Sequence, residues 1–102
     1  MRHLRSYQLA TEFYQQAKGV KLPSYIKDQL RRASLSIVLN ISEGTGTKSM
    51  LDRVRFFQIA MGSIRECQSI IEVEGNAFSP DQKDLIDHLA ASTFKLIHNS
   101  RV

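Results

Sequence analysis

A helix through residues 29–43 stacks Gln29, Arg32, Ser36, Asn40 and Glu43 along one polar line, because they recur every three or four positions. Apolar residues flank that line on both sides, with Ile26, Leu30, Ala33, Ile37 and Ile41 on one and Leu35 and Leu39 on the other. An ordinary surface helix has one apolar face and one wet face. This segment instead predicts two buried faces with a polar seam between them: one face for the chain's own core, the other for a second contact such as another subunit.

The rest of the chain reads as helix too, since no stretch sustains the apolar–polar alternation of a strand. Helix one spans about Leu4 to Lys18, with Leu9, Phe13 and Ala17 at steps of four, and Gly19 and Pro23 bracket its end. Helix two starts near Pro23 or Ser24 and runs to Glu43, with Gly44-Thr45-Gly46-Thr47 as its stop. Ser49 caps helix three, whose apolar set (Val54, Phe57, Ala60, Met61, Ile64, Cys67, Ile71) is broad. Gly62 in its middle disfavours a helix by ~1 kcal/mol against alanine, which predicts close approach of another backbone there. Ser79-Pro80-Asp81-Gln82 carries a capping box ahead of helix four. Short connections between long helices force antiparallel neighbours. The expected fold is all-α, an antiparallel up-down-up-down four-helix bundle forming a single domain over residues 1–102.

No window of the 102 residues has the apolar length of a membrane span, and Met1-Arg2-His3-Leu4-Arg5 lacks the apolar run of a secretion signal, so the expected location is cytoplasmic, away from the membrane. The lone cysteine, Cys67, cannot form an internal disulfide and reads as a small core residue. Fourteen basic against ten acidic residues give a net charge of +4, compatible with a polyanionic partner. The acids lie mostly in the second half, so one end or face of the domain is expected to be more basic than the total.

Catalytic constellations are missing from the pattern. A bundle di-iron centre needs a glutamate followed three residues later by histidine, yet Gln15, Gly46, Ser69, Gly75 and Ala77 occupy those places after the glutamates of the predicted helices. His3, His88 and His98 sit apart from one another. The Lys48-Ser49 end of the glycine-containing turn lacks the preceding strand and the spacing of a phosphate loop. The expectation is a non-enzyme without metal or cofactor. The polar constellation that remains is the seam, Gln29, Arg32, Ser36, Asn40 and Glu43, with counterparts Arg55, Arg65 and Glu66 on helix three. Buried charges must be paired, so Glu43 and Glu66 are expected to meet Arg32 or Arg55 in a partly buried network.

Three runs carry a family likeness: Gln29-Leu30-Arg31-Arg32-Ala33-Ser34-Leu35-Ser36-Ile37, then Asn40-Ile41-Ser42-Glu43-Gly44, then Arg55-Phe56-Phe57-Gln58-Ile59-Ala60-Met61-Gly62-Ser63-Ile64-Arg65-Glu66. The chain closely resembles the four-helix bundle family of the 23S rRNA intervening-sequence proteins over about residues 4 to 74. That resemblance implies a small bacterial bundle assembling into a ring, typically a homopentamer. A more distant likeness, at the level of fold, is to the accessory variability protein of diversity-generating retroelements, a basic pentamer that binds a reverse transcriptase and nucleic acid. Ser42 stands where the family usually has alanine. Met50-Leu51 replaces a more polar helix start, which adds an apolar contact at that end.

Together these readings predict a homo-oligomer with Leu35 and Leu39 at the subunit contact. Its partner is RNA or DNA, bound through Arg31, Arg32, Lys48, Arg53, Arg55 and Arg65, or a nucleic-acid-processing protein recognised without direct nucleic-acid binding. Arg32 and Arg55 are claimed by both roles: paired within the network, or free to meet phosphate.

Overall fold

The computed structural model describes residues 4–100, and Arg2 and His3 lie outside them. Four helices make the fold: α1 (Leu4–Ala17), α2 (Ser24–Gly46), α3 (Met50–Val73) and α4 (Pro80–Ser100), with a single 3-10 turn, Gly75–Ala77, ahead of α4. Each helix packs on its sequence neighbour, and α4 closes the bundle against α1.

Cross-helix contacts give the directions. Ser36 of α2 bonds Ser63 of α3, while Gly44, farther along α2, meets Phe57, nearer the start of α3. The two helices therefore run antiparallel. Gln68 of α3 reaches Asp87 of α4, and Ser6 of α1 meets Ser92 of α4, joining those pairs side by side.

The expected stripes form the core. Leu9, Phe13 and Ala17 of α1 join Leu30, Ile37 and Ile41 of α2, Phe57, Ala60, Ile64 and Cys67 of α3, and Ile86 and Leu89 of α4. Burying each large side chain contributes about 1.5–3 kcal/mol, and no polar residue of the α2 seam is fully buried among them.

Local chemistry sets the helix ends. Ser49 Oγ accepts from the Asp52 amide at 3.3 Å. The capping box of α4 is complete: the Gln82 amide donates to Ser79 Oγ at 3.1 Å and the Ser79 amide to Gln82 Oε1 at 2.8 Å. The end of α1 is closed by the Gly19 and Val20 amides, which donate to Gln16 O and Ala17 O. No described glycine has positive φ, so Gly19 closes α1 without a left-handed cap.

Three glycines behave differently from the sequence expectation. Gly44 and Gly46 do not stop α2, which continues through Gly46. Thr45 Oγ1 donates to Ile41 O at 2.8 Å, and the missing Cβ of Gly44 makes room for the Phe57 ring, so tertiary packing holds the last turn helical. Gly62 is exposed, and a Cβ there would meet nothing within 4 Å. The close backbone approach expected at Gly62 does not occur within one chain; Gly44 is the tightly packed glycine.

Candidate functional site

One α2 face lies in the core, and the opposite flank is open. Leu30, Ala33, Ile37 and Ile41 are buried, whereas Leu35 is 39% and Leu39 53% exposed. Between them the seam is graded: Ser36 and Asn40 are half-buried, and Gln29, Arg32 and Glu43 are exposed. Asn40 Nδ2 donates to Ser36 O at 2.9 Å and Ser36 Oγ at 3.1 Å, and Ser63 Oγ meets Ser36 Oγ at 2.9 Å. A three-residue hydrogen-bonded knot thus ties the middle of the seam to α3. Ile59, one turn before Ser63, is also exposed, extending the apolar flank across both helices.

The charged part of the expected network does not assemble within one chain. Glu43, Glu66, Arg32 and Arg55 are all exposed, and among the described residues the one ion pair is Arg31–Asp28 at 3.7 Å. Arg32 and Glu43 stand three turns apart on α2, ~16 Å along the axis, too far to pair with each other. Exposed pairs of this kind gain ~0–1 kcal/mol at best, too little to order long side chains at a wet helix edge.

The six candidate phosphate ligands fall in separate places. Arg31 and Arg32 line a groove of about 320 Å³ with Tyr14, Asp28 and Leu35. Lys18 Nζ lies 4.7 Å from the centre of the Tyr14 ring beside it. Lys48, Arg53 and Arg55 cluster at the α2–α3 connection, roughly 20 Å farther along the bundle by helix rise. Arg53 is half-buried and donates Nη2 to Thr47 O at 3.0 Å, so it pins that connection. Arg65 lies two residues beyond Ser63 and so points away from α2, at 100° per residue. Tyr14 and Lys18 are not among the sequence candidates, although Lys18, directly after α1, stands four residues beyond Tyr14, the spacing that brings side chains together.

An apolar groove, about 410 Å³, lies at the start of α3, lined by Met50, Leu51, Val54, Arg55 and Gln58. Met50 is 52% and Leu51 78% exposed there.

Cys67 is fully buried, and burial together with the adjacent Glu66 carboxylate pushes its thiol from 9.0 up to about 12. The folded thiol therefore stays protonated and shielded. At pH 8 a disulfide-exchange reagent is expected to label native protein at least about a hundredfold more slowly than urea-unfolded protein, measured by thiol-release kinetics; equal rates would contradict this. The linked effect on stability is a decline as pH rises from 9.0 towards about 12, where the unfolded thiol ionises and the folded one does not.

Fold and surface define a small all-helical bundle whose second helix carries one apolar flank in the core and another outside it. Among the described residues no helix is long and apolar enough to cross a membrane. The family model for the 23S rRNA-intervening sequence protein matches residues 3–98, and the chain belongs to that family. None of the curated proteins compared with the chain matches it.

Proposed function

We propose that the protein is a non-enzymatic, cytoplasmic homo-oligomer, a pentamer by family likeness, that binds nucleic acid, RNA foremost, through exposed arginines. The observation that carries the binding half is that Arg32, Arg55 and Arg65 are exposed with no carboxylate within 4 Å among the described residues. A guanidinium left unpaired in water retains its fork of donors for a phosphate. The open Leu35, Leu39 and Ile59 surface supports the oligomeric half.

Fluorescence anisotropy of a labelled structured RNA against the full chain tests the reading. Neutralising four phosphates lowers affinity on the order of a hundredfold between 50 and 200 mM salt. No binding at 50 mM salt, or binding indifferent to salt, would overturn it. A scaffold that recognises only protein is the second reading, favoured by the apolar groove at Met50, Leu51 and Val54. Absence of RNA binding would direct attention to that groove.

A further inference from the structure

We infer that the groove between α1 and α2 is a subsite for one unstacked nucleotide of a single strand: the Tyr14 ring receives the base, and Lys18, Arg31 and Arg32 take the flanking phosphates. This rests on the nucleic-acid reading above and names where on the molecule the strand lies.

The clefts of the described surface differ in charge. The one between α1 and α4 holds Glu12, Asp81 and Asp84 with Arg5 and His88, and the one between α3 and α4 holds Glu72 and Asp87 with Lys83. Carboxylates in both disfavour a phosphodiester. The α1–α2 groove sets three cations, Lys18, Arg31 and Arg32, against one carboxylate, Asp28, around an aromatic ring. An aromatic platform beside cations is the combination that holds single strands, since every base has a face to stack and every linkage a charge to neutralise.

Tyr14 is half-buried and packed on the core, so its ring is held in place before any ligand arrives. Lys18, whose ammonium lies over that ring, is exposed, so a base can displace it while its charge stays beside the neighbouring phosphate. Arg31 is held by Asp28 at only 3.7 Å, with both side chains about 60% exposed, a contact loose enough to yield to a phosphate. Duplex bases are stacked already and cannot occupy Tyr14, which makes single strands the matching ligand.

The test is anisotropy titration of a labelled ten-nucleotide single-stranded RNA, the single-stranded DNA of the same sequence, and the duplex. Arg31→Gln/Arg32→Gln changes exposed side chains and leaves the core intact. It is expected to weaken single-strand binding at least tenfold at 50 mM salt and to reduce the slope of log K against log salt by about 1.4, two contacts at about 0.7 each. Lys83→Gln/Lys95→Gln, two exposed cations of α4 outside the candidate binding set, is expected to leave both unchanged. Tyr14→Leu, with helicity checked by circular dichroism, is expected to weaken binding about tenfold at unchanged salt slope, while Tyr14→Phe retains it. Either single strand bound more tightly than the duplex supports the subsite, and a duplex bound as tightly overturns it. Wild-type binding that the Arg31/Arg32 variant reproduces unchanged also overturns it while leaving the nucleic-acid reading intact. No wild-type binding at all removes that reading and the subsite together.

Discussion

Leu35→Glu/Leu39→Glu is expected to yield a helical, cooperatively folding chain that sediments as an 11.6 kDa monomer. Both leucines lie outside the core of their own chain, Leu39 more than half exposed, so charges there meet water in the isolated subunit and should leave its fold intact. In an assembly they would be covered. With 39% and 53% of the two leucines left to cover, losing them from each contact removes about 1.4–2.8 kcal/mol of apolar burial, scaled from about 1.5–3 kcal/mol for a fully exposed side chain. Two desolvated, unpaired carboxylates add a further penalty. Even the smaller apolar figure weakens each contact about tenfold, since about 1.4 kcal/mol is tenfold, and the carboxylate penalty multiplies it. Analytical ultracentrifugation of wild type and variant, with circular dichroism to show retained helicity, checks this. A variant that sediments like wild type would show that the flank plays no part in assembly.

Gly44→Ala is expected to destabilise the folded chain, against the usual benefit of alanine in a helix. A Cβ at Gly44 would lie 2.5 Å from Phe57 Cε1, 2.8 Å from Cδ1 and 3.0 Å from Cζ. Phe57 is fully buried, so its ring has nowhere to swing. Overpacking of this kind costs about 1–3 kcal/mol and offsets the ~1 kcal/mol that alanine contributes by propensity. Because Tm shifts by about 4–8 °C per kcal/mol in a domain near this size, the expected result is a drop of several degrees. Gly46→Ala is the control, two residues along the same helix, where a Cβ meets nothing within 4 Å and the backbone φ is not positive. It should hold or raise Tm. Thermal unfolding of both variants decides the matter, and a Gly44→Ala protein as stable as Gly46→Ala would contradict the packing.

The features written locally in the chain were legible. Ser49 and Ser79-Pro80-Asp81-Gln82 carry their cap partners within three residues, so the starts of α3 and α4 could be read without knowing the fold. The core stripe of α2, Leu30, Ala33, Ile37 and Ile41, likewise follows from spacing alone. Features that depend on another helix were not legible. Gly44-Thr45-Gly46 has the composition of a stop, yet Phe57, distant in sequence, turns Gly44 into a packing position. Gly62 has the composition of a close contact and faces open space. In the seam, Ser36 and Asn40 bond to each other, and Ser36 to Ser63. Its charged members were expected to pair, but side-chain reach and solvent, which periodicity does not encode, leave Arg32, Arg55, Glu43 and Glu66 apart. The six basic candidates looked like one set in the linear chain. The register of α1 on α2 separates Arg31 and Arg32 from the rest and supplies Tyr14 as their neighbour.

A flank of α2 left open by its own bundle, with Leu35 and Leu39 beside a hydrogen-bonded seam, is the feature on which the proposed assembly depends. Native mass spectrometry of the untagged chain at micromolar concentration measures it directly. Self-association predicts a discrete species at a whole multiple of 11.6 kDa, five by family likeness. A spectrum holding only the 11.6 kDa monomer at that concentration would contradict it.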